Sequence, residues 1–358
     1  MRLEKLLMET ALIPSLSGYE QKMAQYMKKK FEENNLPVKI DVFGNCIAKV
    51  EGKNPGAPSV MVFGHMDQLG FMVRYIEPDG FIRLERVGGI PEKVLPALDV
   101  QIQNRKGEMI DGVIGVKSHH ATPAEEKYIV EKYTSLFVDI GATNREQVEK
   151  MGITIGCPVV YAPKFKKLAG TVVSGTSLDN RIACAIVTEL AYRFREYKPE
   201  NTVYLVGTVQ EEFNLRGAMV AARTIKPDMA ICIDIALEGK TPDMKGMNNV
   251  AMGNGPVLSL YNFHGRGTLN GTIPHPEMVR VFEQTAQRTG INLQRLALIG
   301  SLTDMAYLQF EGKGVRGVDI GVPCRYTHTP VETCDMKDLE STTQLIFEAI
   351  NNLNSLQL

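Results

Sequence analysis

A chain of 358 residues, 44% hydrophobic and 23% charged, is long enough for two domains and a sizeable core. Its formal net charge of −1 gives no global field that points to nucleic acid or to an anionic membrane. No apolar run approaches the roughly 20 residues that span a bilayer, and the charged, amphipathic N-terminus has no signal-peptide core, so a cytoplasmic protein is expected.

Taken in order, the chain opens with a helical face of Leu3, Leu6, Leu7 and Ala11 that ends before Pro14. Ser17-Gly18-Tyr19-Glu20 has the form of a capping box, with a helix expected to about residue 34. Short strands follow at 38–42 and 45–50, then a buried strand at 59–64 that runs into His65-Met66-Asp67. From 70 to 162 the texture changes to short strands punctuated by turns such as Pro78-Asp79-Gly80, with one helix at 145–150. That stretch predicts a small barrel or sandwich, and its polar segment 118–127 a long mobile loop. Strands are then expected at 168–173, 201–207, 229–235, 293–298 and 315–320. Helices are expected at 182–194, 218–224, 276–289 and 336–353. Alternating strands and helices predict a layered α/β domain built from residues 1–69 and 163–358, with the β-rich unit 70–162 inserted in its middle. The six cysteines contain no Cys-x-x-Cys pair, and five lie in or beside apolar segments, which suits buried thiols rather than a disulfide framework.

Several strand exits of the α/β domain carry side chains able to hold a metal. His65 and Asp67 follow strand 59–64, Asp179 follows strand 168–173, and Glu211 and Glu212 follow strand 201–207. Asp234 ends the run 229–233, and His328 lies beyond strand 315–320. Singly, each has a plainer explanation: a structural histidine, an N-cap aspartate, two solvated glutamates. Asp234 is harder to dismiss, because an unpartnered carboxylate in an apolar strand is costly. Carboxyl ends of strands in open α/β sheets are where ligands collect. Two histidines with several carboxylates there suit a pair of borderline divalent cations, Zn²⁺ or Co²⁺, better than Mg²⁺ or Ca²⁺.

Gly64-His65-Met66-Asp67, Ser177-Leu178-Asp179-Asn180-Arg181, Gln210-Glu211-Glu212, Ile233-Asp234 and His328-Thr329-Pro330-Val331-Glu332 resemble, in order and spacing, the glutamyl and deblocking aminopeptidase family. These are tetrahedral self-compartmentalising aminopeptidases, some members of which are labelled endoglucanases, and the resemblance spans essentially the whole chain. It implies a layered α/β/α metallo-exopeptidase fold with a mixed sheet and an inserted barrel-like dimerisation domain. It also implies two divalent metal ions per subunit, with Asp179 bridging, His65 and Asp234 completing one site, and Glu212 and His328 the other. Glu211 would be the general base toward a metal-bridging water, and Asp67 would orient His65 through its other ring nitrogen. The implied reaction is hydrolysis of N-terminal residues from peptides with a free amino terminus, by a homo-oligomer between dimer and dodecamer.

The chain departs from the family pattern at Gln68 and Asn180, where many members have acids, and at Ser118-His119-His120. His119 and His120 are expected as exposed loop residues, and His264 and His275 as structural or surface ones. By the same resemblance, segments 253–258 and 270–272 line the pocket beyond Asp234, where Arg266 is a candidate partner for an acidic side chain. Thr303 and Asp304 fall in a substrate-side loop without an assigned role. Two other functions stay open: a metal-dependent hydrolase of another amide or acyl bond, such as an acylated amino sugar, and a non-catalytic oligomeric scaffold. A glycosidase fits poorly, since its two carboxylates must be free of metal.

Overall fold

A computed structural model of the chain describes residues 2–265 and 271–353. Runs such as Val60-Met61-Val62-Phe63 are apolar at every position because both faces of their strand are covered. Val60 and Val62 join one core, Met61 and Phe63 another, and the same alternation holds in Met229–Leu237.

The chain begins with helices α1 (Arg2–Ala11) and α2 (Gln21–Glu33), then strands β1 (Val38–Ile40), β2 (Cys46–Val50) and β3 (Val60–His65). Six strands and a short helix follow: β4 (Gly70–Ile76), β5 (Ile82–Val87), β6 (Asp99–Gln103), β7 (Met109–Ile114), β8 (Phe137–Asp139), α3 (Arg145–Lys150) and β9 (Pro158–Tyr161). These strands close into a barrel in the order β4-β5-β8-β7-β6-β9, with its own core around Phe71, Ile102 and Val159. The chain then returns through β10 (Phe165–Lys167), β11 (Val172–Gly175), α4 (Leu178–Glu196), β12 (Val203–Thr208), α5 (Gly217–Ile225) and β13 (Met229–Leu237). It ends with β14 (Val257–Phe263), β15 (Gly271–Thr272), α6 (Pro276–Thr289), β16 (Gln294–Ile299), α7 (Met305–Leu308), β17 (Arg316–Arg325), β18 (Glu332–Asp335) and α8 (Met336–Ile350).

The main sheet runs β1-β2-β12-β3-β13-β17-β18-β11-β10, with β14 also on β17 and carrying β15 and β16. Its centre, β12-β3-β13-β17, is parallel, while both flanks are antiparallel, so the sheet is mixed. Helices α1, α2, α4, α6 and α8 contribute to the core on one face, and α5 and α7 to that on the other, giving the expected α/β/α layering. Gly64 sets the spacing between β3 and α4. A Cβ there would stand 2.2 Å from Ala183 Cβ, a distance that packed atoms cannot reach.

Three local expectations change. The stretch 168–173 is not one strand: residues 168–171 form the turn of a hairpin between β10 and β11, with Leu168 exposed, and only Val172 and Val173 are in β11. Asp234 lies inside β13 rather than at its end, because that strand continues to Leu237. The capping box at Ser17 does not form. Helix α2 starts at Gln21 with no side-chain cap, since Ser17 and Glu20 are both drawn to the strand exits described next. The segment 118–127 holds only a 3₁₀ turn at His119–Ala121, with both histidines exposed. All six cysteines are buried and free.

Candidate metal centre

Parallel register puts Thr208 beside His65 and Asp234 beside Gly321, so the functional side chains gather at the carboxyl edge of β12, β3, β13 and β17. The structure brings five side chains together in two groups of three. One is His65, Asp179 and Asp234, and the other is Asp179, Glu212 and His328. Within each group the nearest ligand-type atoms lie within 4.8 Å of one another, and Asp179 belongs to both. His65 Nε2 is 3.1 Å from Asp179 Oδ1, and His328 Nε2 is 3.5 Å from Asp179 Oδ2.

Asp179 owes its place to an unusual helix start. Ser177 is left-handed at φ 58°, Asp179 and Asn180 depart from helical angles, and regular helix resumes only at Arg181. Asp179 is therefore not a helix cap. Its own N–H is taken by Glu332 Oε2 at 2.9 Å, and Glu332 Oε1 accepts the N–H of His328 at 2.6 Å. Glu332, buried in β18, thus fixes two of the five side chains from behind. It lies in the His328–Glu332 segment, whose composition carries no signal for this bridging contact.

Each histidine offers Nε2 to the centre because its other nitrogen is occupied. His328 Nδ1 donates to Gly89 O at 2.5 Å, and His65 Nδ1 donates to Asp67 O at 3.1 Å. The Asp67 carboxylate is farther from His65, at 3.5 Å, so the backbone carbonyl does more of the orienting than expected. That carboxylate has a larger task. Its Oδ1 accepts the N–H of Glu211 and its Oδ2 that of Glu212, both at 3.0 Å, and Ser17 Oγ donates to Oδ2 at 2.5 Å. Glu20 accepts the N–H of Gln210 at 3.1 Å. The loop after β12 is therefore held by two buried acids through its own amides, which leaves the Glu211 and Glu212 side chains free to point at the centre.

The barrel supplies one wall through Gly88, Gly89 and Tyr161. Gly88 has φ +88°, and a Cβ on it would meet Leu69 Cβ at 2.8 Å and Glu212 Oε2 at 3.2 Å. A cleft of about 570 Å³ opens over Asp179, Glu211, Glu212, Asp234 and His328, with Tyr307 and the exposed His264 on its rim. A larger hollow of about 670 Å³ lies at the opposite edge of the sheet, around Asp228, Ile273 and Phe310, away from both ligand groups. His275 caps α6 through Nδ1, whereas Arg266 lies outside the described residues.

Charge at the centre is out of balance. Burial pushes Glu211 and Asp234 well above the usual carboxylate range, and neighbouring carboxylates add to it. Burial and Asp179 carry Glu212 to about 7 and Glu332 to about 8. Burial opposes the charge of Asp179 too, but His328 and His65 hold it below its ordinary value. Burial likewise opposes a charged His328, yet Asp179 and Glu212 outweigh it and raise that ring to about 11. Glu212 Oε1 is buried with no hydrogen-bond partner. An orphaned carboxylate oxygen, two imidazole Nε2 atoms turned to the centre and one carboxylate common to both groups fit divalent cations, which would replace the protons these acids and rings otherwise hold. Behind them, Asp304 and Asp319 are also buried and raised, chiefly by burial, to about 7 and about 6. Each is held by a threonine hydroxyl, Thr208 for Asp304 and Thr303 for Asp319.

Known proteins share this architecture. The sequence profile of the M42 glutamyl aminopeptidase family matches residues 44–345. The candidate aminopeptidase SgcX of Escherichia coli (strain K12) is 37% identical over 93% of this chain and 89% of its own length. An aminopeptidase from the archaeon Desulfurococcus kamchatkensis superposes with a TM-score of 0.91 at 30% identity, covering 98% of this chain and 94% of that one. The TET1 peptidase of Pyrococcus horikoshii, which can assemble into a tetrahedron or a large octahedral shell, superposes at 0.85 and 28% identity, covering 98% of this chain and 99% of that one.

Proposed function

The chain belongs to the M42 glutamyl aminopeptidase family and is a peptidase, and on that premise we propose that it removes N-terminal residues from peptides with two divalent cations per subunit, Zn²⁺ or Co²⁺. The observation that carries the proposal is the pair of three-residue ligand groups joined at Asp179. Asp179 would serve both ions, His65 and Asp234 one, and Glu212 and His328 the other. Mixed imidazole and carboxylate donors favour borderline cations over Mg²⁺ or Ca²⁺. Such cations supply Lewis acidity toward a peptide carbonyl and make water a better acid.

Glu211 is the general base. Its carboxylate belongs to neither ligand group, is only 11% exposed, and has Oε2 3.9 Å from His65 Nε2. Burial keeps its proton affinity high, so Oε2 can accept a proton from the attacking water and return it to the nitrogen of the departing amine. Asp67 positions the loop that carries Glu211 and Glu212, and the acids Glu211 and Asp234 face the cleft where a substrate's free amino group would sit. Residues 1–69 and 163–358 form the catalytic unit in this proposal, and 70–162 the unit that brings subunits together as a homo-oligomer. The assembling TET1 relative supports that role, as do Tyr128, Ile129 and Val130, three consecutive exposed apolar residues on the barrel's 115–136 connection.

The test is to strip metal with a chelator and assay a panel of aminoacyl chromogenic amides, adding Zn²⁺ or Co²⁺ back. Rescue on at least one amide is expected; no rescue on any of them would sink the proposal.

A further inference from the structure

Among the described residues, Arg181 is the largest fully buried side chain, and it sits directly behind the ligands. Its Nη1 donates to Met66 O, and its Nη2 donates to Ile13 O at 3.1 Å and to Gln68 Oε1 at 2.8 Å. Its Nε has no partner. The guanidinium is thus held by two backbone carbonyls and one neutral amide, and no carboxylate of the described residues is seen paired with it. Buried guanidinium groups are ordinarily matched by an acid in contact, because an uncompensated buried charge is costly. Met66, whose carbonyl Arg181 grips, lies between His65 and Asp67. Burial works against the charge of Arg181, while the sulfur of Cys184 beside it, then Asp67 and Glu20 from farther off, support it.

Gln68 occupies the spot where a matching acid would stand. Its Oε1 takes both Arg181 Nη2 and the N–H of Ser15, at 3.0 Å. An amide there satisfies hydrogen bonds without cancelling charge. We infer that Gln68 sets charge through Arg181: its neutral amide holds the guanidinium but leaves that cation uncancelled behind His65 and Asp67, and thereby weakens the centre's hold on divalent cations. It rests on the two-cation proposal above. A low effective dielectric around a fully buried site lets such a charge act over several ångströms, and outlying partners of metal ligands change affinity by about 10- to 100-fold.

Two variants separate charge from hydrogen bonding. Gln68→Glu adds the missing negative charge with little change of shape, and Gln68→Met removes the acceptor without adding charge. Zn²⁺ and Co²⁺ affinities are measured on the metal-depleted full chain by competition with a chromogenic chelator, alongside melting temperatures without metal. Gln68→Glu is expected to bind about tenfold tighter or better and to melt no lower than wild type. Gln68→Met should melt lower, yet bind metal within about twofold of wild type. An unchanged or weaker affinity in Gln68→Glu overturns the inference, as does a Gln68→Glu chain that fails to fold, or an equal change of affinity in both variants. Wild-type protein that binds neither ion would instead overturn the two-cation proposal itself.

Discussion

Replacing Glu211 by Gln isolates the proposed base from the ligands. The substitution keeps shape and removes an ionisable oxygen from a side chain that belongs to neither ligand group. The loop should not move, because it is held by the Glu211 and Glu212 amides on Asp67, and those bonds involve no Glu211 side-chain atom. Loss of a positioned base typically costs 10²- to 10⁴-fold in rate, or about 3–5.5 kcal/mol of barrier. The expected result is therefore kcat/KM reduced by about 10²–10⁴ with metal stoichiometry unchanged. A second consequence follows from crowding: Glu211 is buried among Glu212, Asp234 and Asp304, each of which raises its proton affinity. A neutral amide removes that repulsion, so the metal-free variant should melt higher than metal-free wild type at pH 8. Steady-state kinetics on the best chromogenic amide, metal analysis by mass spectrometry and scanning calorimetry read the three quantities. Full activity in the variant would refute the assignment of Glu211, and loss of a metal ion would mean that Glu211 is a ligand instead.

Metal-free protein should lose stability as pH rises from 6 to 8. Glu212 and Glu332 titrate at about 7 and about 8 in the fold, against ordinary values near 4.5, so the folded state holds protons that the unfolded chain has already released. His328, raised to about 11, contributes with the same sign above 6.5. Calorimetry of chelator-treated protein should show a melting temperature lower at pH 8 than at pH 6, by roughly 5 °C or more, and saturating Zn²⁺ should flatten or reverse the slope. Asp67→Asn turns one acceptor of the Glu211 and Glu212 amides into a donor, and should weaken metal binding by about 10- to 100-fold in a chelator competition. Gly88→Ala should cost about 1–3 kcal/mol in denaturant unfolding and loosen metal binding, because its methyl group would press on Leu69 and Glu212.

Much of the fold was legible because its signals are local. The apolar run before His65, the segment 229–235 and the amphipathic helices at 276–289 and 336–350 each declare their type within a dozen residues. What misled were signals that another partner could claim. Ser17 and Glu20 satisfy a capping-box pattern, yet the Ser17 hydroxyl donates to the Asp67 carboxylate, 50 residues away, and the Glu20 carboxylate accepts the Gln210 amide, 190 residues away. The 168–173 run has strand composition, but Gly170 at φ +63° lets the chain turn there. Strands β14, β15 and β18 carry no strand signal of their own, because two to seven residues without clear alternation look like loop until a neighbour pairs with them.

For the centre, the legible part was the inventory of groups that would touch cations, and the hidden part was what holds those groups still. Histidine and acid at a strand exit are conspicuous because burying them without a partner is costly. Their supports are ordinary: a carboxylate gripping two amides, a backbone carbonyl on each imidazole, Glu332 bridging Asp179 and His328, a glycine making room beside Glu212. None of these changes composition or spacing in a way that marks it, since hydrogen bonds to the main chain can be made by any acid that happens to be near. They are also where the chain can vary without losing a ligand. Gln68 is such a place, since its amide meets the same donors an acid would while leaving the Arg181 charge uncancelled. Differences among chains that share these five ligand-type side chains should therefore arise less from the ligands than from the charges and hydrogen bonds behind them.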